Sequence, residues 1–206
     1  MMDKDKKKIT YTFKLNTRNI VKIGMLSAVA FLLMLIQFPI PTLFPFFLEL
    51  DISELPALLG GFTLGPIAGS IIVLLKNLLL LAVRGSKTSY VGELSNFIVG
   101  AAFVVPASIL YINNKSKRGA IYSLIAGILG MTIVACISNY YLIIPLFSKT
   151  LGFESVMEMA ARSNKAIVDM KTYILYAVVP FNILKSMVVS IFTLLIYKRL
   201  SPLLRS

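Results

Sequence analysis

An asparagine and a lysine lie three positions apart, Asn182 and Lys185, inside the otherwise apolar stretch from Tyr173 to Tyr197. On a helix that spacing puts them on one face. Lys185 stands about 12 residues from either end of the stretch, which is roughly 18 Å at 1.5 Å per residue. A lysine stem cannot snorkel that far, and an unpaired ammonium at such depth costs several kcal/mol, of order 2.5 or more. Lys185 must therefore face other helices and meet a carboxylate, a carbonyl or a ligand. Lys76, nearer the end of its own apolar segment, raises the same requirement in milder form.

Other chemistry is scarce. The chain has no His and one cysteine, Cys136, so an internal disulfide, thiolate zinc clusters, imidazole metal sites and a histidine base are all excluded. No catalytic residue set or metal-ligand set is expected. A phosphate-cradling Walker sequence is absent, so ATP hydrolysis is not expected of this chain.

The elements that must position these residues follow from apolar length. Of the 206 residues 57% are hydrophobic, more than a soluble domain can hide, so the class is integral membrane and all-α. Length and breakers predict six transmembrane helices in one compact bundle, residues 1–206 forming a single domain. The spans are about 20–37, 52–63, 66–83, 90–112, 120–146 and 173–197. Residues 1–17 form a basic arm. The arm and the apolar run after it resemble the start of a signal peptide, but no small-x-small cleavage site follows, and a retained first helix is expected. A polar stretch, 148–171, carries a short surface helix around "ESVMEMAARSN".

Six crossings place both termini on one side. That side then collects 13 of the 21 basic residues, against six on the other. The positive-inside rule puts both termini in the cytoplasm, and the net charge of +12 reads as membrane topology and not as a nucleic-acid footprint.

This topology assigns depths. Lys76 and Asn77, Glu93 and Asn96, then Asn139, Tyr140 and Tyr141 all fall in outer halves of their helices, and Asn182 and Lys185 run from the outer half to the middle. The inner halves are nearly free of such groups. The pattern predicts a pocket open outward and closed inward, suited to solute capture and unlike a channel, which needs a polar path through both leaflets. Each polar residue alone could equally be interhelical glue, and Glu54, Lys76 and Glu93 could be partners of one another. Phe44, Phe46 and Phe47, in the proline-stiffened loop "PIPTLFPFFLELDISELP", form either an interfacial aromatic belt or a lid over a planar ligand. "GMLSA", with Gly24, Ser27 and Ala28, is a small-xxx-small pattern, for packing inside the bundle or for docking another membrane protein.

The order of features resembles a known family: the basic arm, "FPFFLELDISELPALLGGFTLGPIAG", "LLKNLLL", "GELSNFIVG", "PFNILK" and "YKRLSPLL". The chain is similar to the substrate-binding S components of energy-coupling factor (ECF) vitamin transporters, and within them to the riboflavin-binding type. "DISELPALLG" and "PFNILK" carry most of that resemblance. It implies a six-helix protein of the cell membrane, not an enzyme, that binds the vitamin near the outer surface and needs no cofactor. It implies partners, a transmembrane coupling protein and two ATPases. Gly24 and Ala28 fall where the family has an Ala-xxx-Ala contact motif for the coupling protein, with Gly replacing the first Ala. In a flavin pocket Asn182 would suit the imide edge and Lys185 a ring carbonyl or a pair with Glu93, with Asn96 or Asn139 meeting ribityl hydroxyls. An S component for another vitamin, such as thiamin, and a membrane-embedded enzyme are the alternatives. The lack of Trp and His weighs against the first, and the lack of an acid–base pair against the second.

Overall fold

In the computed structural model, residues 16–86 and 88–205 are described, those from 197 onward in backbone only. Most of the basic arm, Lys87 and the side chains of the basic tail lie outside the described residues.

Helix α1, Thr17–Met34, begins where the Asn16 side chain accepts from the Asn19 N–H at 2.8 Å, an N-cap that satisfies one of the free first-turn donors. Three prolines, Pro39, Pro41 and Pro45, prevent the helix from continuing. A minimal antiparallel ladder forms instead, β1 (Phe38–Pro39) against β2 (Glu49–Leu50), with Phe38 opposite Leu50. This ladder departs from the all-α expectation. It pairs backbone groups at the base of the phenylalanine loop, where Pro39 cannot donate.

Helix α2, Glu54–Leu64, is almost wholly buried. Its 11 residues rise about 16 Å, short of a hydrocarbon core about 30 Å thick. Gly65, at φ +102°, ends it in a conformation that L side chains rarely adopt, and Pro66 starts α3 (Pro66–Arg84) at a position that needs no N–H. A Cβ on Gly61 would fall 2.0 Å from Ser108 Oγ, so glycine lets α2 lie directly on α4. Phe62 stacks on Tyr111 there, with centroids 4.2 Å apart.

Helix α4 (Val91–Asn113) and α5 (Lys117–Ser138) form a close antiparallel pair. The helix continues past Ser138 through one π turn, Asn139–Ile143, into α6 (Ile144–Leu151). It therefore extends five residues beyond the expected end at 146. After α7 (Phe153–Ala161), Asp169 and Thr172 form a capping box that starts α8 (Met170–Tyr173). A second π turn, Ile174–Val178, leads into α9 (Val179–Arg205).

Both π turns end two residues before a proline, Pro145 and Pro180. Proline cannot donate to the carbonyl four residues back and its ring collides with it. Widening the preceding turn removes the conflict. The Ile144 N–H then reaches Asn139 O and the Val179 N–H reaches Ile174 O, each five residues back.

Among the described residues, five helical stretches are long and apolar enough to cross a membrane: Thr17–Met34, Pro66–Arg84, Val91–Asn113, Lys117–Leu151 and Met170–Ile196.

Candidate binding cavity

The segment that leaves β2 and the first turn of α2 carry two acids, Asp51 and Glu54, into the interior, where two lysines meet them. Lys185 donates to Asp51 Oδ2 at 2.8 Å and stands 3.7 Å from Glu54 Oε2. Lys76 donates to Glu54 Oε1 at 2.7 Å and also to Ser53 Oγ. Ser53 in turn bonds Asp51 through its hydroxyl and through its N–H, the latter at 2.7 Å. All five side chains are buried. Two ammonium groups and two carboxylates make the cluster electroneutral, which is what permits four ionised groups at this depth.

Above the cluster lies a cavity of about 350 Å³, within the range of small-molecule sites. Its lining comes from the C-terminal ends of α1 and α3, the N-terminal end of α4, the first π turn with α6, and the stretch from Tyr173 to Lys185. These parts all meet at one end of the bundle, the end reached by the phenylalanine loop. Apolar and aromatic groups form most of the wall, including Val99, Met131, Phe47, Phe147 and Phe181. The Phe47 ring lies 5.6 Å from Phe46, 5.9 Å from Phe147 and 6.4 Å from Tyr173, centroid to centroid.

Of the residues singled out in the sequence, Asn182, Lys185, Asn96, Glu93, Asn139, Phe46 and Phe47 border this cavity. Asn182 donates its amide to Val178 O at 2.8 Å, and Asn139 donates to Ala135 O at 2.9 Å. Each uses its NH2 on the preceding turn, which leaves its oxygen available to a ligand donor.

Four others are placed elsewhere. Lys76 is fully buried beneath the cavity and spent on Glu54 and Ser53. Tyr140 and Tyr141 face outward, Tyr141 with 75% exposure. Consecutive helical residues point about 100° apart, so turning Asn139 inward swings the next two toward lipid. Phe44 is buried behind the wall, edge-on to Phe181 at 5.3 Å. Lys185 pairs with Asp51 and Glu54, not with Glu93. Glu93 is held instead by the Ser86 hydroxyl at 2.9 Å and the Thr88 hydroxyl at 3.3 Å. Those bonds tie down the α3–α4 loop, where Ser89 and Tyr90 adopt positive φ.

On α1, Gly24 and Ala28 are exposed, and a Cβ on Gly24 would meet nothing within 4 Å. Ser27 does not share their face. It is buried, with its hydroxyl on Ile23 O at 2.8 Å.

Residue type and spacing do not single out Asp51, Ser53 and Tyr173, nor the cavity-lining pair Gln37 and Glu49, whose side chains bond each other. Arg84, also at the rim, donates to Leu35 O at 2.9 Å and so caps the last turn of α1. The signal for Tyr173 was present but indirect: Pro180 predicts a disturbed helix just ahead of it, and such turns gather at functional sites.

Comparison with known proteins agrees with this architecture. The family model described as "ECF transporter, substrate-specific component" matches residues 18–197. The chain is 40% identical over 188 residues to the riboflavin transporter RibU of Staphylococcus aureus (strain TCH60), covering 91% of this chain and 93% of that one. It is 34% identical over 189 residues to the riboflavin transporter FmnP of Bacillus subtilis (strain 168), covering 91% and 94%. Among solved structures it is similar to one reported as "Structure and mechanism of the S component of a bacterial ECF transporter", with a TM-score of 0.71 and 38% identity over 92% of this chain and 98% of that one. A multi-pass membrane protein built on this fold, the chain belongs to the substrate-specific components of ECF transporters.

Proposed function

We propose that this chain captures riboflavin from outside the cell and presents it for ATP-driven import by partner subunits. One observation carries the reading: an apolar, aromatic-walled cavity whose deep end bears Asn182 and Lys185. A flavin has apolar ring faces and a polar imide edge, so it needs that combination. Lys185 has three donors. Asp51 takes one, and another is free for a ring carbonyl. The Asn182 oxygen accepts from the imide N–H. Asn96 and Asn139 border the ribityl chain, and Phe46 and Phe47 close over the ligand. The names of the relatives at 34% and 40% identity support the same vitamin.

The cavity end faces outward and both termini lie in the cytoplasm. Supporting this, α1 and α3 both end at the cavity, and α3 follows α2 directly. On this reading residues 38–64 recross the bundle, with α2 as a short sixth span. The chain is one transmembrane domain, acts as a binding subunit and not as an enzyme, and requires no cofactor. Its partners are a transmembrane coupling protein and two ATPases, and Gly24 and Ala28 form the docking face. Small residues allow a second helix to approach closely, and dispersion contacts then hold it.

Fluorescence titration of the purified protein tests the reading. Riboflavin should bind one to one with quenching. Tight binding of thiamin without any response to riboflavin would overturn it.

A further inference from the structure

Lys185 borders the cavity, and two carboxylates compete for its ammonium. Asp51 Oδ2 holds it at 2.8 Å. Glu54 Oε2 stands 3.7 Å away, too far for a hydrogen bond, and has no hydrogen-bond partner among the described residues. Buried carboxylate oxygens are rarely left unsatisfied, so Glu54 Oε2 is an open alternative for the same ammonium. The anchoring of Asp51 keeps Lys185 off it. The Ser53 N–H donates to Asp51 Oδ1 at 2.7 Å, and the Ser53 hydroxyl donates to the same oxygen. Lys76 donates to the oxygen of that hydroxyl, which leaves the hydroxyl proton for Asp51. Both Ser53 bonds fall on Oδ1, so Oδ2 is presented to Lys185 from a fixed carboxylate. Asp51 itself is buried and does not border the cavity, so it reaches a ligand only through the lysine.

We propose that Asp51 is a positioning residue: it holds the Lys185 ammonium at the deep end of the cavity, within reach of the ligand, and prevents its transfer to Glu54. The inference rests on the riboflavin reading and adds to it a residue that acts on binding without touching the ligand.

The test is a double-mutant cycle followed by two measurements, riboflavin titration and thermal unfolding in detergent. Asp51→Asn lets Lys185 turn to the open Glu54 oxygen, and Lys185→Met removes the ammonium outright. Each alone should weaken riboflavin binding about tenfold or more, the loss of one hydrogen bond from a charged donor. The double variant removes both members of the pair, so it should melt above either single variant while binding no more weakly than Lys185→Met alone. Stability that recovers while affinity does not is the mark of positioning, and a purely structural role cannot produce it. Wild-type affinity in Asp51→Asn overturns the assignment. A double variant whose loss is the product of the two single losses overturns it too, since Asp51 would then act independently of Lys185. So does a double variant that regains wild-type affinity, since both residues would then be structural. Asp51→Glu, which keeps the charge and displaces the carboxylate by one methylene, takes the place of Asp51→Asn if the latter does not fold, with the same loss of affinity expected. If wild type does not bind riboflavin, the riboflavin reading falls and this inference with it; if wild type binds and the cycle is additive, only the inference falls.

Discussion

Helices α1 and α9 are both apolar, but their faces are used in opposite ways. On α9 the buried face is mostly polar: Asn182, Lys185, Ser186, Ser190 and Thr193 recur at helical spacing, with Phe181 and Val189 between them. On α1 the buried face is Ile23, Ser27, Ala30 and Met34, while Ile20, Val21, Met25, Val29 and Leu32 stand exposed around Gly24 and Ala28. In water the apolar face of a helix is the buried one. In lipid both faces can be apolar, and polarity marks the interior instead. A polar residue needs the partners that only protein or ligand can supply, whereas a small residue can face a partner protein or lipid equally well. The inward face of α9 could therefore be read from residue type, and the outward face of α1 could not.

Four changes would sharpen or break this contrast. The largest effect on the isolated chain is expected beneath the cavity. Lys76→Met leaves Glu54 with only the more distant Lys185 as counter-charge, and breaking such a buried pair costs about 3–5 kcal/mol. Thermal unfolding in detergent should show that loss, and adding Glu54→Gln should restore much of it. If the single variant is as stable as wild type, the cluster is not what holds the segment before α2 in place.

Next comes the cavity wall. Asn182→Leu should weaken riboflavin binding by about 1–3 kcal/mol, since it removes a buried group that the ligand satisfies. Its effect on stability should be smaller, because the side-chain bond it loses among the described residues is to Val178 O of its own helix. Comparing fluorescence titration with the melting temperature separates the two. Lys185→Met should not separate them so cleanly, since Lys185 also neutralises Asp51.

The small-residue face of α1 should give the reverse pattern. Gly24→Leu combined with Ala28→Leu places side chains in open space, so stability and riboflavin affinity should stay within about 0.5 kcal/mol of wild type. Uptake by cells carrying the complete transporter should nevertheless fail. Normal uptake would remove this face as the docking site. The smallest effect is expected at Tyr141, which is exposed and borders no part of the cavity. Tyr141→Phe should alter neither titration nor uptake measurably, and a change in ligand affinity would mean that the first π turn can rotate this residue inward.

Hydropathy and breakers alone determined the membrane class, the location of the long apolar helices and the clustering of polar residues toward one end of them. These properties are local, set by runs of side chains within a few turns. The π turns before Pro145 and Pro180 are local too, although the expected helices, 120–146 and 173–197, ran through both prolines. Depth along a helix could be counted, so Asn182, Lys185, Asn96 and Asn139 were identifiable as cavity residues. Direction around a helix was harder to read. Tyr140 and Tyr141 share the depth of Asn139 and point away from it. Pairing was harder still. Lys185 finds its carboxylate 134 positions away, just ahead of the helix whose first residue, Glu54, meets Lys76. Glu93 also borders the cavity but is bound by its own neighbouring loop. Only the tertiary structure chose between these acids, because Coulomb attraction and desolvation depend on distance in space, and the fold of residues 38–64 sets that distance.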